Sequence, residues 1–337
     1  MTTLRVTFYS YKGGVGRTIA LLNVARILAG HGFRVVAVDM DLEAPGFGLL
    51  SDKWVERREV NRGVSDLMLG RMAGDERPLD EFFARPTAAF TAGDLRLMTA
   101  GTRPEVLSAR IPELLEDVES EEARVFQYFA AEIEETVEPD FILFDSRTGL
   151  ADIAGVCTLE LPDLLVVVCG LNDQNVKGTE GFLERWFAHP ARYEDTGVIL
   201  CISPVPRDVD LERWGEPPVE QTVKEIAEGL LPRERAPKSR RLFGRYVQVQ
   251  EGLLVVLGDK RGSWQLRFPE LLGEDLVHAF HYDPLMALGE PFELSPESLL
   301  YREHRRLARS LSRAHDAGRE LEADDAVRLR FMEHVLA

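Results

Sequence analysis

Apolar positions along the chain fall into short runs that alternate with stretches of helical spacing, and turn residues punctuate both. "LRVTFY" at 4–9 is rich in β-branched and aromatic residues and predicts a strand. A glycine-rich stretch follows at once, and "TIALLNVARILAG" at 18–30 then carries apolar residues at helical spacing, with Gly30 and Gly32 as stop signals. "RVVAVDMD" at 34–41 predicts a second strand, nearly continuous in apolar residues as a buried parallel strand is, and it ends in two carboxylates. Further strands are expected at 94–101, at the start of 141–149 and ending in Asp145, at 164–170 and at 197–204, with helices within 105–135. Strands that alternate with helical patterns imply an α/β fold: a mostly parallel sheet with helices on both faces, binding ligands at the carboxyl ends of its strands.

Residues 207–265 break this rhythm with a Pro-rich, charged segment, a basic cluster and two strand-like runs, "RYVQVQ" and "EGLLVVLGD", which suggest a β-ribbon-like insertion. From about 292 the pattern is helical to the end. The organisation expected is therefore a core over 1–206, an insertion over 207–265, and the end of the core with C-terminal helices over 266–337. No internal repeat or low-complexity tract is visible.

Composition narrows the classes of function. With 337 residues, 45% hydrophobic, the chain is long enough to bury a substantial core. Its net charge of −17 argues against general attraction to DNA or an anionic bilayer and leaves only local basic patches for such contacts. Cys157, Cys169 and Cys201 lie far apart, the last two in apolar runs, which fits buried thiols and a cytoplasmic location. No apolar run approaches bilayer-spanning length, and the first stretch has no signal-type core, so membrane association is not expected.

The candidate chemistry begins at "YKGGVGRT", residues 11–18. A tight glycine loop between a strand and a helix turns backbone N–H groups toward phosphate oxygens, and the helix start adds a favourable partial charge. Gly13, Gly14 and Gly16 meet that need, and Thr18 offers a hydroxyl to Mg²⁺. A loop of the G-x-x-x-x-G-K-[ST] type has lysine where Arg17 stands here. Two further strand ends agree with a phosphate site. Asp39 and Asp41 are spaced to face the same side, and Asp145 ends a hydrophobic strand, where an acidic group holds Mg²⁺ through water.

Together "KGGVGRT", the helix with Thr18 and Asn23, "VDMD" and "ILFD" resemble the deviant Walker A ATPases of the ParA/MinD type, P-loop NTPases whose loop carries a second, earlier lysine, here Lys12. "DLEAPG" at 41–46 and "DSRTGLAD" at 145–152 resemble an arginine-bearing subgroup, and "HYDPLMALGEP" at 281–291 resembles the family's late strand-to-helix loop. The resemblance implies a Mg-ATP site in which Gly13, Gly14, Val15, Gly16, Arg17, Thr18 and Ile19 surround the phosphates. Thr18, Asp39 and Asp145 serve the metal, Asp41 orients the attacking water, and Lys12 reaches the partner's nucleotide across an ATP-dependent homodimer. It also implies action through a protein partner. Arg17 departs from the lysine of such loops, keeping the charge but aiming it differently, so slow basal hydrolysis is expected. A nucleotide-holding regulatory or scaffold subunit and a nonspecific DNA-binding partition ATPase remain as alternatives. ATP rests on the resemblance, because Ser203, Pro204 and Pro206 stand where relatives place an Asn-containing turn, and GTP stays open.

Other residues admit plainer readings. Arg147 suits a phosphate or subunit sensor or a local salt bridge, and Asp173, Gln174 and Asn175 suit a ligand edge or a helix start. The cluster Arg233, Arg235, Lys238, Arg240, Arg241 and Arg245, and the basic "YREHRRLARSLSR" at 301–313, keep local polyanion contact in view, with a solvated surface as the plainer reading. The apolar stripe through Val327, Phe331, Met332, Val335 and Leu336 follows "ELEADD" and suits docking better than membrane insertion. His278 and His281 are read as surface or structural residues.

Overall fold

The computed structural model describes residues 2–49, 62–86, 93–116, 125–149, 152–189, 196–205, 275–281 and 298–315. Seven strands form one sheet: β1 (Leu4–Tyr9), β2 (Arg34–Asp39), β3 (Asp94–Met98), β4 (Phe141–Asp145), β5 (Leu164–Cys169), β6 (Gly197–Val205) and β7 (Val277–His281). Their order is β3-β2-β4-β1-β5-β6-β7, and every pairing is parallel. The helices are α1 (Arg17–Gly30), α2 (Val64–Met72), α3 (Pro104–Glu116), α4 (Val125–Val137), α5 (Asp152–Gly155), α6 (Asp173–Ala188) and α7 (Leu299–Ala314). A wider π-helical turn, Val156–Glu160, continues α5.

The expected α/β plan is met, and the central strands show why. "FILFD" and "LLVVVC" are buried at every position, as strands covered on both faces must be. In β2 and β4 the two-residue side-chain period divides the core. Val35, Ala37, Phe141 and Leu143 join a cluster that includes α1 and α7, whereas Val36, Val38, Ile142 and Phe144 join one that includes α2, α3 and α4. β2 ends at Asp39, two residues short of the expected strand, because Met40 and Asp41 already belong to the ligand-edge turn. The stretch 105–135 contains α3 and α4, two helices that pack in the same cluster. The insertion over 207–265 with its basic cluster, most of "HYDPLMALGEP", and the C-terminal apolar stripe lie outside the described residues.

Cys157, Cys169 and Cys201 are buried free thiols, as expected, and burial raises Cys157 to about 12. Among the described residues no helix is long and apolar enough to cross a membrane. The basic sequence at 301–313 forms most of α7, which packs on α1 and β7 and pairs Arg313 with Asp275 at 2.8 Å.

His278 and His281 are structural and buried, so the surface alternative falls away. His281 pairs with Glu303 of α7 through both its ring Nδ1 and its backbone N–H, the latter at 2.9 Å. His304 donates from Nδ1 to the Leu300 carbonyl at 2.7 Å and stacks on Phe280. Burial lowers His278 and His304 to about 4. Because the fold prefers the neutral rings, their stabilisation is full above the ordinary value near 6.5 and is lost as pH falls through about 4. Each contributes on the order of 2–3 kcal/mol to that loss. We expect His304→Phe, which keeps the ring stack, to remove about half of the histidine-linked pH dependence. Urea unfolding of both proteins at pH 7 and pH 4.5 measures it, and parallel pH profiles would refute the assignment.

Candidate functional site

β1 lies at the centre of the sheet, and the chain leaves it through the glycine loop before turning into α1. Gly14 and Gly16 have φ of 77° and 83°, a left-handed region open to glycine without steric cost. Gly13 and Gly14 are exposed, and no heavy atom approaches within 4 Å of where a Cβ would stand, so the loop's outer side is clear. Gly16 caps α1 without a side-chain hydrogen bond, leaving the first-turn N–H groups to a ligand or solvent.

Strand register builds the acidic part. Asp39 of β2 is paired directly with Asp145 of β4, and Phe8 of β1 flanks Asp145 on its other side. The carboxyl ends of three neighbouring strands therefore meet beside the loop. Asp39 accepts the backbone N–H groups of Asp41 at 3.1 Å and Phe47 at 2.9 Å, and the latter contact folds the turn after β2 back over the strand end. Asp41 accepts the Ala44 N–H at 3.2 Å through one oxygen. Its other oxygen meets the Arg17 guanidinium, Nη2, at 3.0 Å.

Arg17 is 7% exposed and turns into this cluster. Nε donates to Asp145 Oδ1 at 2.5 Å, and Nη1 lies 3.4 Å from the Ser10 hydroxyl. Burial works against its charge, but Asp145 and Asp41 outweigh burial and raise its pKa above the ordinary arginine value. Thr18 donates its hydroxyl to the second Asp145 oxygen at 2.6 Å. Burial pushes Asp145 up, opposed by Arg17 and Thr18. Asp39 is raised to about 8, chiefly by burial and then by the Asp145 charge. Its linkage runs opposite to that of the histidines: the stabilisation is present at low pH and lost as pH rises toward about 8.

The donor set fits Mg²⁺. Three carboxyl groups and a hydroxyl are hard oxygen donors, and the one guanidinium among them contacts only Asp41 and Asp145. Among the described residues no three His, Cys, Asp or Glu side chains are arranged to hold a metal directly. A Mg²⁺ ion that keeps several waters suits such a set.

The structure thus gathers Gly13, Gly14, Val15, Gly16, Arg17, Thr18, Ile19, Asp39, Asp41 and Asp145 at one sheet edge. Lys12 stands at the loop's outer start, its Nζ 5.7 Å from the Tyr11 ring centroid. Arg147 pairs with Glu43, tying the loop after β4 to the turn after β2. Asn172 caps α6 by accepting the Asn175 N–H at 2.9 Å, and buried Asn175 packs at Gly170 near Val15. Three contributors escaped sequence reasoning. Ser10 was hidden because a polar strand-end residue is unremarkable. Tyr11 lies flat on Gly178 of α6, where a Cβ would stand 2.1 Å from the ring, and Tyr9 stacks on Phe182 at 4.1 Å. Only the four-residue spacing of Gly178 and Phe182 hinted at that seat.

The parallel sheet, the glycine loop between β1 and α1, and the strand-end carboxylates define a P-loop nucleotide-binding protein of the α/β class. Residues 6–216 match the CobQ/CobB/MinD/ParA nucleotide binding domain, and the chain belongs to that family. Among solved structures it is similar to the septum site-determining protein MinD of Pyrococcus horikoshii OT3 complexed with Mg-ADP, at 18% identity and TM-score 0.51, covering 92% of this chain and 96% of that one. It is also similar to the ATP complex of a single-substitution variant of McdA from Cyanothece, at 12% identity and TM-score 0.58, covering 92% and 96%. A plasmid partition protein of Borrelia burgdorferi B31 bound to AMPPNP shares 11% identity at TM-score 0.51, covering 93% and 99%. At these identities the likeness is one of fold. No curated protein matches the sequence.

Proposed function

We propose that the chain is a cytoplasmic Mg-ATP switch that dimerises with bound ATP, hydrolyses it slowly and acts through a protein partner. The observation that carries this reading is the meeting of the glycine loop, Thr18 and the Asp39–Asp41–Asp145 cluster at one sheet edge, with Lys12 outside it. Backbone N–H groups from Gly13 to Thr18 cradle the phosphates, and Val15 and Ile19 pack the loop in place. Mg²⁺, when bound, neutralises charge that develops on the transferred phosphoryl group. Asp41 orients the attacking water, Arg17 brings positive charge to the phosphates, and Lys12 reaches a second copy's nucleotide. The nucleotides in the MinD, McdA and partition-protein structures support this reading, as does an Aquifex aeolicus MinC:MinD complex for partner binding.

A second reading is favoured by Arg17 itself. A guanidinium held by two carboxylates is costly to move, which suits a nucleotide-holding regulatory subunit with little turnover. Light scattering tests the switch: with Mg-ATP the solution mass is expected to double relative to Mg-ADP. Unchanged mass with saturating nucleotide bound would reject the dimer cycle and leave the regulatory subunit.

A further inference from the structure

Each Arg17 nitrogen donates to the protein: Nε to Asp145, Nη2 to Asp41 and Nη1 to Ser10. Asp145 is fully buried and has both oxygens engaged, one by Arg17 and the other by Thr18. The groups best suited to a divalent cation are therefore committed to one another and to a resident cation of the chain's own. We propose that the Arg17 guanidinium and a divalent metal are alternative counter-charges for Asp41 and Asp145, so that the metal's arrival releases Arg17 to the phosphates.

Charge and geometry support an exchange. Removing the guanidinium without replacement leaves the Asp41 and Asp145 carboxylates, beside the buried Asp39 carboxyl, with no cation in contact with them. Adding a metal while Arg17 stays brings a second cation against the guanidinium that already sits on Asp41 and Asp145, and the two positive charges repel. Metal and nucleotide resolve both difficulties together, because the metal compensates the carboxylates while the phosphate supplies a new anion for the fork. Each ligand thus promotes the other's binding, a reciprocal coupling. Arginine is suited to this latch because its fork spans two carboxylates at once, whereas a lysine ammonium is a single point charge. The phosphate arm rests on the proposed nucleotide function, whereas the metal arm needs no nucleotide.

Mn²⁺, followed by electron paramagnetic resonance, is the probe. Nucleotide-free full chain is titrated alongside Arg17→Gln and Arg17→Lys, with folding checked by circular dichroism. Arg17→Gln is expected to bind one Mn²⁺ at least about tenfold more tightly than the parent, with Arg17→Lys between them. Equal affinity in all three overturns the exchange, and if the Gln variant does not fold, equality of the Lys variant and parent does so. In the parent, a fluorescent ATP analogue is expected to bind at least about tenfold more tightly with Mg²⁺ than with EDTA, and equal affinities overturn the exchange as well. A parent that binds no nucleotide refutes the proposed function, and the Mn²⁺ titration still decides the inference.

Discussion

Asp145→Asn is expected to destabilise the nucleotide-free protein by about 3–5 kcal/mol, the range for breaking one half of a buried ion pair. The amide keeps the carboxylate's shape, so the cost comes from charge and hydrogen bonding rather than from a cavity. Arg17, 7% exposed, would keep Asp41 as its only ionic partner, and Thr18 would lose a carboxylate acceptor. Urea unfolding of the nucleotide-free variant measures the loss, and a change below about 1 kcal/mol, the scale of an exposed pair, would show that the Arg17 pairing is not energetically buried. The control is the double substitution Arg17→Met with Asp145→Leu. Removing both charges is expected to recover part of the stability, since apolar replacements of buried pairs avoid the desolvation penalty. Failure of the single variant and recovery of the double one would locate the effect in the pair.

Lys12→Ala is expected to abolish the ATP-dependent doubling of mass while leaving nucleotide affinity of the monomer within about threefold, less than the tenfold that about 1.4 kcal/mol represents. This follows from where Lys12 stands on the proposed reading. It lies at the outer start of the loop, partly exposed, next to a Tyr11 ring seated on α6, and takes no part in the Arg17–Asp145 cluster. Its substitution removes little packing, so a lost dimer with a normal melting temperature would assign it to the partner's nucleotide. Light scattering and fluorescent-nucleotide titration on the same preparation separate the two effects. Loss of monomer affinity by about tenfold or more would instead place Lys12 on its own chain's phosphates.

Much of the fold and part of the candidate site were legible along the chain because they depend on local chemistry. β1 and α1 announce themselves by period, and the glycines between them permit the positive φ values found at Gly14 and Gly16. Apolar runs ending in aspartate marked β2 and β4, since parallel strands buried on both faces have little choice of composition. The insertion and the C-terminal stripe stand where the described structure has no bearing on them.

Other features required residues remote in sequence to be brought together. Nothing local in "GRT" says whether Arg17 points outward to a ligand or inward. Its direction follows from Asp145, 128 positions away, and from Asp41. The raised Asp39 carboxyl follows first from its burial and then from its register beside Asp145, and the depressed His278 and His304 follow from burial where β7 packs against α7. The sequence by itself determined where a phosphate-binding loop and its acidic strand ends occur, because backbone conformation and hydrophobic period are local properties. Only the tertiary structure decided which carboxylates share Arg17 and which ionisable groups lose water, because charge pairing and burial belong to the assembled sheet.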